Sequence, residues 1–181
     1  SGTPLPNIEP RDGTAKPGLN FVISVDLPLE TLRDRFVNAA AERLAQIGMP
    51  KLNSANTRVY ADQGNLILQI PSLSLRTRPI LEKERQRIRL DALSLGLNTM
   101  RSASNDDHRQ DVQIQVTDSL KEALSWSYED RVETIRRQLD SALNRSIQPG
   151  IQMRGRIDGI EPLSLQIMAN RIQAKLRVSG N

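Results

Sequence analysis

The chain has 181 residues, 38% hydrophobic and only 3% aromatic, with a mean hydropathy of −0.46, a net charge of +4 and a pI near 9.8. It has no cysteine, which excludes disulfides, thiol catalysis and thiolate metal sites. No apolar run approaches the roughly 20 residues of a membrane-spanning helix. Of the 25 cationic residues only Lys16, Lys51, Lys83, Lys121 and Lys175 are lysines, so the basic character is almost all arginine. That charge favours acidic partners such as an anionic membrane surface. Nucleic acid is not expected, because the basic residues are not interleaved with aromatics or Gly-rich loops.

In chain order, residues 1–19 are rich in Pro and Gly without periodicity and read as a flexible leader. Residues 20–181 read as a single α+β domain, with halves at 20–100 and 110–180. Phe21, Ile23, Val25 and Leu27 alternate as a strand. Pro28 then opens a helix whose apolar stripe runs through Leu29, Leu32, Phe36, Ala40 and Leu44 to a stop at Gly48 and Pro50. A hairpin follows, turning at Gln63-Gly64-Asn65, with Pro71 marking an edge or a bend. Between Ile88-Leu90 and Leu93-Leu95-Leu97 the apolar phase slips by one, which predicts a β-bulge near Asp91-Ala92.

Residues 101–110 are polar and read as a surface loop, and Asn105, Asp106, Asp107 and His108 within it as solvated rather than metal-binding. Val112, Ile114 and Val116 alternate as a strand. Ser119 with Glu122 forms a capping box for a long helix carrying Leu120, Leu124, Tyr128, Val132, Ile135, Leu139 and Leu143, with Pro149 and Gly150 ending it. Ile157 then precedes a turn at Gly159–Pro162, and the chain closes with two alternating strands. The fold predicted is therefore a highly curved antiparallel sheet wrapped around a long C-terminal helix, with a second shorter helix and a strand-helix-hairpin order repeated in both halves.

That order of elements resembles the tubular lipid-binding (TULIP) superfamily. The matching stretches are Val25-Asp26-Leu27-Pro28-Leu29 leading into the first helix, Gln46-Ile47-Gly48-Met49-Pro50 closing it, and Leu139 to Pro149 with the hairpin after it. Within the group the chain is similar to small bacterial periplasmic lipoproteins, departing from them in its few aromatics and in lacking a lipobox cysteine. The resemblance implies an apolar groove for acyl chains and a periplasmic or outer-membrane-associated location in the bacterial envelope.

The function expected is non-enzymatic binding of a lipid or other elongated apolar ligand, without a cofactor or a metal. Leu32, Phe36, Ala40 and Leu44 of the first helix and Val132, Ile135, Leu139 and Leu143 of the second are the candidate groove residues, with Trp126 and Tyr128 at its mouth. For any one of these residues, ordinary core is the more common role of a helical stripe. The alternative is an envelope interaction or assembly module with a self-filled core and no ligand. Arg85, Arg87 and Arg89 are the candidate contacts to an anionic membrane, or else the wet face of a strand.

Overall fold

In the computed structural model the described residues are 7–8, 18–84, 87–97, 106–144, 146–148, 151–152 and 155–181. Among these residues, ten strands and two helices follow in the order β1 (Asn7–Ile8), β2 (Leu19–Pro28), α1 (Leu29–Gln46), β3 (Arg58–Asp62), β4 (Asn65–Ile70), β5 (Leu73–Glu82), β6 (Arg87–Leu97), α2 (Asp106–Leu143), β7 (Ser146–Gln148), β8 (Ile151–Gln152), β9 (Ile157–Ile167) and β10 (Arg171–Gly180). Two four-stranded sheets have the orders β1-β2-β10-β9 and β3-β4-β5-β6, and β7 pairs with β8 alone.

This corrects the predicted fold. The chain is α+β, but its strands divide among separate sheets instead of forming one curved sheet around a C-terminal helix. The long helix lies mid-chain, with four strands after it. The predicted repeat fails at its first element, because residues 112–116 are helix and not strand. The physical cause is visible in the burial. Val112, Val116, Leu120 and Leu124 recur every four residues and are all buried, while Ile114 is 54% exposed. A β-strand would have placed Ile114 on the same face as Val112 and Val116; a helix turns it away. The same segment absorbs residues 106–110 of the predicted loop.

Ser119 is consequently no helix cap. It sits inside α2, fully buried, and its hydroxyl has no hydrogen-bond partner among the described residues. An unsatisfied buried hydroxyl costs about 1–3 kcal/mol, and alanine is the better helix former. Ser119→Ala is therefore expected to stabilise the protein by about 1 kcal/mol, read as a higher urea midpoint; a lower midpoint would show that the hydroxyl is satisfied.

The chain forms two compact units, one of residues 1–25, 129–164 and 174–181, the other of residues 26–128 and 165–173. In the second unit α1 forms where the sequence places it. Its stop is a Schellman motif: Gly48 has φ +91°, its N–H donates to the Ala45 carbonyl at 3.1 Å, and the Met49 N–H donates to Leu44 at 3.0 Å. The strands β3 to β6 are a meander of sequence neighbours, antiparallel throughout. Gln63 and Gly64 both have positive φ, as a two-residue type I′ hairpin requires. The bulge appears at the expected place: Arg76 pairs with Ser94 but Arg78 with Asp91, and Ala92 has φ +53°. The inner face of this sheet buries Leu66, Leu68, Ile70, Leu73 and Leu75, each contributing on the order of 1.5–3 kcal/mol.

In the first unit Phe21 and Ile23 of β2, Ile157 of β9, Leu176 and Val178 of β10 and Ile135 of α2 form one buried cluster. Its β9 is a single strand of 11 residues, without the predicted turn at Gly159–Pro162. Proline lacks an N–H for the ladder, and β9 is an edge strand, where that omission is tolerated. The turn comes instead at Ala169-Asn170, closed by the Met168 N–H donating to the Arg171 carbonyl at 2.8 Å.

Candidate functional site

The ten predicted groove residues are not one constellation. Leu32, Phe36, Ala40 and Leu44 belong to the second unit and are all 0% exposed. A side chain with no accessible surface borders neither open solvent nor an internal void large enough for water, so this stripe is filled by the chain itself. It is packed core.

Val132, Ile135, Leu139 and Leu143 belong to the first unit. Ile135 is buried, whereas Val132, Leu139 and Leu143 are only partly covered and pack against the cluster with Leu19, Val25 and Ile160. These partly buried aliphatics form the rim of a small core. The side chains of Trp126 and Tyr128, the predicted mouth, lie outside the described residues.

Sequence reasoning did not foresee two hollows in the second unit. One, of about 320 Å³, is lined by Arg35, Asn38 and Ala39 of α1 and Glu122 and Ala123 of α2, with Arg43 paired to Glu122 at 3.1 Å. The other, of about 460 Å³, opens at the start of α1 between Pro28, Glu30, Arg33, Arg58 and Asn170. There the Leu29 N–H donates to the Asn170 carbonyl at 3.0 Å, and no side chain caps the helix. Their linings come from segments far apart in sequence, so no local pattern announces them. Among the described residues no group of three His, Asp or Glu side chains is placed to hold a metal.

The basic trio is resolved in part. Arg85 lies outside the described residues. Arg87 and Arg89 both donate to Glu82, at 3.0 and 3.1 Å, and Arg89 also lies 3.5 Å from Asp91. Their charge is therefore largely answered within the sheet. No helix among the described residues is long and apolar enough to cross a membrane.

Comparison with known families places the chain. The family described as Domain of unknown function (DUF4403) matches residues 1–181. The chain belongs to that family. No curated protein and no solved structure matches it. For a member of the DUF4403 family, function must therefore be argued from the site itself.

Proposed function

We propose that this DUF4403 domain is a non-enzymatic module that binds an elongated apolar ligand, such as a lipid acyl chain, on the partly buried aliphatic rim of its first unit. The observation that carries the reading is the partial exposure of Val132, Leu139, Leu143, Leu19, Val25 and Ile160 around a buried core. Apolar side chains left partly wet gain about 25 cal/mol for each Å² that a ligand covers. Covering about 200 Å² would then contribute on the order of 5 kcal/mol before association costs. The stretches 25–29 and 46–50, which resemble tubular lipid-binding proteins, motivate the same reading and with it a place in the bacterial envelope.

The test is titration of the protein with a fluorescent fatty acid. Saturable uptake is expected, weakened about tenfold by Leu139→Asn, while Ile114→Asn, an exposed aliphatic of the other unit, leaves it unchanged. A second reading, an interaction module with a self-filled interior, is favoured by the complete burial of Leu32, Phe36, Ala40 and Leu44. Absence of saturable uptake, with a lipid-free mass in native mass spectrometry, would overturn the first reading in favour of the second.

A further inference from the structure

The β3–β6 sheet turns one face to the core of its unit and the other to solvent, and the solvent face is rich in arginine. Alternation along the strands puts Arg58 and Tyr60 of β3, Arg76 and Arg78 of β5, and Arg87 and Arg89 of β6 on it. All five arginines are exposed. Three carboxylates share the face. Asp62 accepts from Arg76 at 2.7 Å, while Glu82 and Asp91 answer Arg87 and Arg89. Arg58 and Arg78 have no carboxylate partner among the described residues; Arg58 instead lies over the Tyr60 ring, 4.8 Å from its centroid.

A solvated sheet face needs only polar side chains, and like charges on it work against folding. Five arginines against three carboxylates nevertheless leave the described part of the face positively charged. We propose that the outer face of the β3–β6 sheet docks on an anionic phospholipid bilayer, with Arg58 and Arg78 as the charges that meet lipid phosphates. Guanidinium forks match phosphate oxygens in a bidentate way. At the β4–β5 turn end of the face the register aligns Gln69, Ser74 and Gly96, a short row of small or uncharged residues over which headgroups can approach closely, and the next row inward holds Tyr60, the buried Ile67, Arg76 and Ser94. Tyr60, the face's one aromatic, is already occupied by Arg58, which leaves no ring on which a nucleic-acid base could stack. The docking face and the apolar rim use different residues, so either proposal can fail without the other.

Co-sedimentation of the full chain with vesicles tests this. Binding is expected to phosphatidylcholine vesicles containing phosphatidylglycerol and not to phosphatidylcholine alone, and to weaken as salt rises. At roughly fivefold per charge, the double variant Arg58→Gln/Arg78→Gln is expected to bind about 25-fold more weakly. Arg136→Gln/Arg137→Gln removes the same net charge from α2 while leaving every charge of this sheet in place, and is expected to change binding by no more than about twofold. Equal losses in the two double variants would mean that net charge alone is read, and would overturn the assignment. So would binding to neutral vesicles, or a DNA duplex that binds through Arg58 and Arg78 when vesicles do not.

Discussion

Phe36→Ala is expected to lose about 3–5 kcal/mol of stability, read from the shift of the urea unfolding midpoint. Phe36 is 0% exposed and lies on the α1 stripe between Leu32 and Ala40, which are equally closed. Truncation there removes the transfer free energy of the ring and leaves a cavity, and both terms count because the neighbours have no slack to relax into. Phe36→Leu keeps most of the volume and is expected to cost less than about 1.5 kcal/mol. The pair is diagnostic as well as quantitative. If alanine cost less than about 1 kcal/mol, the site would have to border space already empty, and α1 would return as a wall of a ligand groove. A loss in the expected range keeps α1 in the core.

The second large effect is expected at Gly180. A Cβ built there collides with the backbone carbonyl of Arg156. Arg156 and Asn181 exchange two backbone hydrogen bonds, the Arg156 N–H donating at 3.2 Å and the Asn181 N–H at 3.0 Å. Backbone cannot rotate aside as a side chain can, so Gly180→Ala must push β9 and β10 apart at their paired ends. With about 1 kcal/mol for each of two bonds and a similar amount for the strain, the loss is about 3 kcal/mol. For a chain of this length that lowers the melting temperature by roughly 6–12 °C. A change below about 2 °C would mean that the strand ends do not approach as closely as the structure has them.

Much of the second unit was legible in sequence because its signals are local. Pro28 and Gly48 bracket α1 through constraints of their own backbones, one with its fixed φ and the other with a left-handed φ of +91°. Gln63-Gly64 reads as a turn for the same reason, and the phase slip at Asp91-Ala92 is a bulge whichever partner the strand has. Such features need no knowledge of what lies across the fold. The candidate site was less legible. An aliphatic stripe looks the same whether its far side is filled or open, and only the packing distinguishes Phe36, closed on every side, from Leu139, left partly exposed.

Composition and local pattern thus determined the α+β class, α1 with its ends, the Gln63-Gly64 hairpin and the bulged strand. Tertiary structure decided what those signals leave degenerate. Val112-Gln113-Ile114-Gln115-Val116 satisfies a period of two and a step of four together, and it became helix because burial was available for Val112 and Val116 but not for Ile114. Gly159 and Pro162 carry a turn signal by themselves, and the edge position of β9 is what lets them lie within a strand. The division of the strands into separate sheets was likewise set by pairing between distant segments, β2 beside β10. Pairing at that separation depends on which surfaces are buried together, a property of the folded chain and not of any window of its sequence.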